Sequence, residues 1–507
     1  MNAFAPLPAP EGGLLGALDG PWRHPLETGI LPGWLGLRRW FGARDRPVRA
    51  VTLLPLAEMA PDLALLLIDV RLDGAAQRYF LPLALRDGTG AIAPPLAHVA
   101  GGRVLIDAAE DAASAGVLLA ALRAGITLRT GDGQIRFAPE DAARLASPGP
   151  PRALKADQSN AAHVFGQEVM LKLYRHIHPG LQPEVEMARH LSRQGFTHMP
   201  AFLGQVALHR RGGAAESGES GNDRSDHDSV LAVAFAYLRN DGDAWSWLCN
   251  TLRQDPGPGS GAWLMTRLGQ RMGDLHRCLS ASDAPPGFTP EPLTIAHVER
   301  WMREAESDLD AALEALARAA LGPAEAQLAR EVLERRAEFA RLIGQPAHLP
   351  PSGLCTRIHG DLHLGQVLVT RHPGGARDVA IIDFEGEPRR PLPERRALTS
   401  PLRDVAGMLR SLDYAAQLCD AGQTWARGAR RSCLAAYELS MDGSPALPAR
   451  EPARALLRLF LLQKAAYEIS YELASRPELV AVPLRGLLAL AGADADCNGQ
   501  EEEIPHD

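Results

Sequence analysis

The chain is expected to be an α+β protein of several domains, with β-structure first and helix last. Three observations carry this. A length of 507 residues exceeds what one compact core organises, so two or three domains are the starting expectation. The first third consists of apolar runs separated by Pro-Asp and Asp-Gly turn signals, which read as strands. Beyond Asp241 the apolar residues recur at three- and four-residue spacing, as they do on one face of a helix.

In order along the chain, strands are expected at 48–59, 63–72 and 75–86, a helix at 108–123 and a strand at 134–138. The run Ser147-Pro-Gly-Pro-Pro151 reads as a boundary. Two strands around a polar turn follow, at 154–158 and 164–173. A helix begins at Pro183, a good first-turn residue, and runs to about 194. Residues 211–229 are Gly, Ser and charge with almost no apolar content, the composition of a disordered surface loop. A strand at 231–238 closes this section. Helices at 298–320 and 324–343, joined at Leu321-Gly322-Pro323, form a helical hairpin. Short strands near 357–358 and 379–383 flank the densest motif, and 402–490 is mostly helix.

Composition excludes several classes. Hydrophobic residues are 46% and charged residues 22%, ordinary for a globular protein. The formal charge is −8, which argues against a phosphate-coating surface and so against nucleic acid as main partner. The six cysteines form no C-x-x-C pair and read as free thiols in a reducing compartment. No basic start precedes an apolar run at the N-terminus. No stretch approaches the roughly 18 apolar residues of a membrane span. A cytoplasmic protein with no membrane partner is expected.

The chemistry concentrates in Arg357-Ile-His359-Gly-Asp361-Leu-His363-Leu-Gly-Gln366 and in Val379-Ala-Ile-Ile-Asp383-Phe384-Glu385. Phosphoryl transfer from ATP needs a carboxylate to orient and deprotonate the acceptor hydroxyl, and ligands for the metal that bridges the phosphates. Protein kinases take the first from H-R-D-x-x-x-x-N and the second from that Asn and the Asp of D-F-G. Here Asp361 is the candidate base and Gln366 a neutral oxygen ligand in place of Asn. Asp383, at the end of an apolar strand, is the candidate carboxylate for Mg²⁺, a hard cation. His359 and His363 are spaced four apart, but Gly360 and Gly365 disfavour a helix and the H-E-x-x-H glutamate is missing, so zinc is disfavoured. A loop-stabilising role suits either histidine.

A lysine must also reach the phosphates, with a carboxylate to hold it. Lys172 lies in Glu168-Val-Met-Leu-Lys-Leu-Tyr174 between apolar neighbours, where burial is costly unless it is paired. Glu186 on the next helix is the expected partner, with Glu184 the alternative. Upstream, Asp157-Gln-Ser159-Asn160-Ala-Ala-His163 occupies the turn where a glycine-rich phosphate loop would lie, yet it has no G-x-G-x-x-G. Ser159, Asn160 and backbone N–H groups are the candidate phosphate contacts.

These residues together resemble the maltokinases, a group related to the aminoglycoside phosphotransferases. The likeness includes Arg39-Trp40-Phe41-Gly42, Leu171-Lys172-Leu173, Pro179-Gly-Leu-Gln-Pro183-Glu-Val-Glu186 and Asn240-Asp-Gly242-Asp243-Ala-Trp245. It continues through His359–Leu368, Ile382–Pro388, Ser400–Ser411 and Tyr467-Glu-Ile-Ser-Tyr471. Arg44 stands where the group has Lys, and Ala161-Ala162 stand where it places hydroxyl residues, so fewer side-chain contacts to phosphate are expected.

The resemblance implies a bilobal eukaryotic-protein-kinase-like fold with an N-terminal β-rich cap domain (1–146), a nucleotide-binding lobe (147–240) and a helical C-terminal lobe (241–507). It implies ATP and Mg²⁺ as cofactors, and maltose as the acceptor, phosphorylated at its anomeric hydroxyl for α-glucan synthesis. It also implies a functional association with trehalose synthase. His363, Glu385, Tyr467 and Tyr471 become the candidate acceptor contacts, with Glu468 a carboxylate between the two tyrosines; core packing is the default reading of Tyr467, Glu468 and Tyr471, which lie on one helix at three- and four-residue spacing. An Asp at position 404 braces the catalytic loop in such folds, and Trp245 and Trp247 read as packing. A glucosamine or aminoglycoside kinase of the same fold is the main alternative; a non-catalytic binding module would lack one of these residues.

Overall fold

The computed structural model describes residues 5–44, 46–88, 95–146, 149–154, 159–210, 228–371, 374–387 and 390–496. The chain forms two compact units, residues 1–192 with 200–239, and residues 193–199 with 240–507. The fold class is α+β, with the β-rich and helical parts separated as the sequence patterns indicate.

The first unit contains two antiparallel sheets. One has six strands and runs in the order Val48–Ala60, Leu63–Leu72, Leu83–Asp87, Arg103–Asp107, Ala97–Val99, with Ala75–Phe80 paired on Leu63–Leu72. The expected strand 75–86 is therefore two strands, broken at Leu81 and Pro82, because proline cannot donate to a ladder. Short helices before residue 36 cover this sheet, and Trp22, Leu26, Phe41, Leu66, Ile68 and Tyr79 share one buried cluster. Each such side chain contributes about 1.5–3 kcal/mol by leaving water.

The second sheet has seven strands, in the order Thr127–Arg129, Gly133–Pro139, Phe202–Arg210, Ser229–Ala236, Val169–Leu173, Ala161–Phe165, Pro151–Leu154. The strand expected at 164–173 is a hairpin that turns at Gly166, and the strand expected at 154–158 ends at Leu154. Residues 155–158 and most of the loop expected at 211–229 lie outside the described residues. Gly133–Pro139 pairs with Phe202–Arg210 along its whole length, so the boundary expected near 146 falls within this sheet.

A buried ion pair links the two sheets. Arg175 follows the strand Val169–Leu173 and donates to both carboxylate oxygens of Asp107, at 2.9 and 2.7 Å. Their side chains are 1% and 2% exposed. The Trp40 ring lies 4.7 Å from the Arg175 guanidinium. Removing one partner of a buried pair strands the other charge, at about 3–5 kcal/mol. We therefore expect Asp107→Asn to lower unfolding free energy by about that amount, measured by denaturant titration.

The second unit is built on helices and a small sheet, Asn240–Asp243, Val367–Arg371, Arg377–Ile381. The expected hairpin appears as Ile295–Arg318 followed by Pro323–Glu334 and Arg336–Gly344, the latter two separated at Arg335. The strand expected near 357–358 lies just before those residues, as Leu354–Cys355 paired with Glu291–Pro292 and an isolated bridge at Thr356. The C-terminal part consists of the helices Leu402–Leu418, Gly422–Ser440, Arg450–Ser475 and Ala481–Asp496. Among the described residues no helix is long and apolar enough to cross a membrane.

Candidate active site

In the first unit, strand alternation decides which groups meet. Lys172 pairs in register with Ala162 on one side and Val233 on the other, so it sits inside the sheet and its side chain is 8% exposed. Its ammonium reaches Glu184 at 3.0 Å. Of the two candidate partners, Glu184 makes this contact. Glu184 is the second residue of the helix Pro183–Arg193 and is buried, whereas Glu186 is half-exposed. Both glutamates lie in the first turn, where the positive end of the helix dipole stabilises an anion.

Tyr174 also donates to Glu184, and the Lys172 ammonium is 5.4 Å from the Tyr174 ring. This tyrosine was legible in the sequence: residues two apart on an extended chain share a face. Asn160, after the segment 155–158, accepts the Arg175 N–H through Oδ1 at 3.3 Å and donates to Ser159 Oγ at 3.3 Å. Ser159 and Asn160 are thus held at the start of the strand that pairs with Lys172.

In the second unit, the His359–Gln366 motif forms a loop before the strand Val367–Arg371. Gly360 takes φ 84° there, a left-handed turn that a side chain would strain. Asp361 follows it and is half-exposed. Its N–H donates to His359 Nδ1 at 3.3 Å, so Nε2 carries the proton and donates to the Ile382 carbonyl at 2.9 Å. His359 also packs 4.9 Å from the Phe384 ring. The histidine therefore joins the Asp361 loop to the segment that holds Asp383.

Two more bonds join those segments. Ile382 N–H donates to the Gln366 carbonyl at 3.0 Å, and Gln366 Nε2 donates to Asp383 Oδ2 at 3.0 Å. Asp383 has φ 65°. Left-handed backbone is uncommon outside glycine, though Asp and Asn tolerate it best, and it costs on the order of 1–3 kcal/mol. Gln366 and Asp383 thus present an amide and a carboxylate side by side. Oxygen donors of this kind fit a hard divalent cation.

The helix Leu402–Leu418 holds the loop from behind, at positions three and four residues apart. Asp404 accepts the N–H groups of His359 at 2.7 Å and Gly360 at 2.9 Å. At Gly407 a Cβ would lie 2.7 Å from the Leu362 carbonyl oxygen, so only glycine allows this approach. Ser411 Oγ accepts the Leu364 N–H at 3.1 Å. His276, fully buried, is 3.2 Å from Asp404 and 3.0 Å from the Tyr437 hydroxyl.

Burial pushes the Asp404 carboxyl up, but the His276 hydrogen bond and charge and the Gly360 N–H outweigh it, leaving it below its ordinary value. A carboxylate lowered on folding stabilises the fold above its unfolded pKa and loses that stabilisation as pH falls through the folded value. We expect the melting difference between parent and Asp404→Asn to be constant near neutral pH. It closes as pH falls below the ordinary carboxylate range, which melting curves against pH would follow.

The candidate acceptor residues fall into two groups. Tyr467 and Tyr471 are half-exposed on the helix Arg450–Ser475, with rings stacked at 6.4 Å and 19°. Burial pushes the Glu387 carboxyl up, but the Lys464 charge, Arg390 and a hydrogen bond with Tyr467 outweigh it and leave it below its ordinary value. His363 accepts the Gly365 N–H at 3.0 Å, a loop-stabilising contact. Burial pushes its imidazole down, and the Asp361, Lys464 and Asp383 charges all act on it. Glu385 acts on the Arg395 guanidinium.

Glu468 takes the core-packing role. Its carboxylate accepts the Arg410 Nε at 3.0 Å and the terminal nitrogen Nη2 at 2.7 Å, with Arg410 2% and Glu468 9% exposed. One residue along a helix turns the side chain about 100°, which places Glu468 on the buried face and removes it from the acceptor set. Trp247 packs edge-on against Trp263 at 5.1 Å, as expected of a packing residue.

Comparison with known proteins gives the family. Residues 151–437 match the phosphotransferase enzyme family, APH. That match covers more than half of the chain, and the chain belongs to this family of kinase-type phosphotransferases. Residues 34–111 match the maltokinase N-terminal cap domain, so the enzyme carries a cap of that kind.

A glucosamine kinase of Streptacidiphilus jiangxiensis is 28% identical over 306 residues, 57% of this chain and 62% of that protein. The chain therefore spans less than two thirds of that relative. A glucosamine kinase of Mycolicibacterium smegmatis is 28% identical over 357 residues, 67% of this chain and 79% of that protein. A solved glucosamine kinase in complex with glucosamine, ADP and inorganic phosphate superposes with a TM-score of 0.63 at 23% identity, over 92% of this chain and 99% of that one. At that identity the likeness shows the fold.

Proposed function

We propose that this phosphotransferase moves the γ-phosphoryl group of ATP to the anomeric hydroxyl of maltose, giving maltose 1-phosphate and ADP. The observation that carries the phosphoryl transfer is the bonded set His359, Asp361, Gln366 and Asp383. Asp361, half-exposed and aligned by His359, orients the acceptor hydroxyl and takes its proton. Gln366 and Asp383 would hold Mg²⁺, which when bound neutralises charge on the phosphates. Lys172, held by Glu184 and Tyr174, would contact the phosphates, with Ser159, Asn160 and nearby backbone N–H groups.

Maltose as acceptor is supported by the maltokinase-type cap and by the stacked, half-exposed Tyr467 and Tyr471. Two aromatic faces one turn apart suit two neutral sugar rings. Glucosamine is the second reading, favoured by the names of the relatives at 28% identity. It would present one ring and a cation, and would gain little from the second tyrosine.

Measuring ADP formation with maltose, glucosamine, glucose and kanamycin separates these readings. We expect the highest kcat/KM with maltose. We also expect Tyr471→Ala to raise the maltose KM with little change for ATP, the mark of lost ground-state binding. A higher kcat/KM with glucosamine would overturn the named sugar. An unchanged maltose KM in the variant would remove Tyr471 from the acceptor site.

A further inference from the structure

The helix Leu402–Leu418 turns two faces to function. One carries Asp404, Gly407 and Ser411, which grip the catalytic loop. The other carries a row of polar contacts to the helix Arg450–Ser475. Arg403 donates to Gln463 at 2.9 Å. Arg410 donates to Glu468 at 3.0 and 2.7 Å. Tyr414 donates to Glu472 at 3.0 Å. From Arg410 to Tyr414 and from Glu468 to Glu472 the step is one turn on each helix, so the rungs advance together.

These rungs are buried. Gln463, Glu468 and Glu472 are 5%, 9% and 1% exposed. Arg410 is filled on its remaining side by Asp413 at 3.0 Å, and a Cβ on Gly486 would meet its guanidinium at 2.3 Å. Apolar helix contacts alone tolerate sliding, because one methyl group replaces another. A slide of one turn, about 5.4 Å, would set Lys464 against Arg410 in one direction, and in the other would give Glu472 to Arg410 only by breaking the Tyr414–Glu472 and Arg403–Gln463 bonds. Buried polar pairs are best attested in this role, as devices that set register.

We propose that Arg410, acting with Glu468, is a positioning residue for the acceptor. The ladder fixes the axial register of the helix bearing Tyr467 and Tyr471 against the helix that holds the Asp361 loop. Register then sets where the acceptor hydroxyl is presented to Asp361. This rests on the reading that Tyr467 and Tyr471 hold the sugar. An acceptor held out of place leaves room for water. Water then attacks the γ-phosphorus, the bond to the bridging oxygen breaks, and ADP, inorganic phosphate and a proton result.

The test is the full chain with Arg410→Met and Glu468→Leu together, an apolar pair of similar volume that strands no charge at this rung. Asp413 keeps Arg430 at 2.6 Å. The readouts are the melting curve, the KM for ATP, kcat with maltose, and ADP formed per sugar phosphate. We expect cooperative melting, an unchanged ATP KM, kcat lower by about ten- to a hundredfold, the cost of misplacing a reacting group, and an ADP-to-product ratio well above one. Glu468→Gln, which keeps an oxygen for Arg410, restores a ratio near one.

Should the double variant fail to fold, Tyr414→Phe removes only one hydroxyl from the next rung and must move the ratio in the same direction. Parent kcat and one ADP per product in the variants that fold would overturn the proposal and leave the ladder a stability element. If the parent itself ignores maltose, the named sugar fails, and the same ratio is read with glucosamine. An unchanged ratio there overturns the ladder proposal independently.

Discussion

Asp361→Asn lowers kcat by on the order of 10²–10⁴, the usual worth of a positioned general base, while ATP still binds. The substitution keeps the shape of the side chain and removes only its ability to take a proton. The loop itself does not depend on that carboxylate. Asp404, Gly407 and Ser411 hold it from behind, and His359 holds it through the Asp361 backbone N–H. A fall in kcat with unchanged melting and unchanged ATP affinity is therefore expected. Steady-state kinetics and calorimetry on the same sample check it, and near-parent turnover would remove Asp361 from its role.

Asp383→Asn removes Mg²⁺-dependent ATP binding along with turnover. Asparagine is chosen because position 383 has φ 65°, a conformation that Asn tolerates and alanine does not. The backbone is then kept and only the charge is lost. A metal clamp contributes several kcal/mol, and each 1.4 kcal/mol is tenfold, so affinity for ATP with Mg²⁺ should fall by about a hundredfold or more. Calorimetry with and without Mg²⁺ reads this directly. A variant that binds ATP with Mg²⁺ like the parent would place the metal ligand elsewhere.

Much of this was legible in the sequence where chemistry depends on spacing within one segment. His359-Gly360-Asp361 with Gln366, and Asp383 after an apolar strand, marked two segments that the structure joins through the Ile382 backbone. The β-rich beginning and helical end followed from periodicity. What was hidden is what depends on which residues face each other across elements. That Glu184 meets Lys172 at 3.0 Å depends on helix phase, which the sequence alone left open between two carboxylates two residues apart.

Glu468 stood between two tyrosines in sequence, yet it turns inward to Arg410. No local pattern names an arginine 58 positions away as its partner. The same holds for the strand Gly133–Pro139, whose pairing with Phe202–Arg210 is set by tertiary contacts rather than by local propensity.

Phosphorus NMR of the purified chain with ATP, Mg²⁺ and maltose tests the central claim most directly. A phosphate on an anomeric oxygen couples to a single anomeric proton, so a sugar 1-phosphate gives a doublet. The account predicts that this doublet grows in step with ADP and that neither grows with Asp361→Asn beyond a small residual rate. ADP formation with no anomeric doublet, or an inert mixture under these conditions, would contradict it.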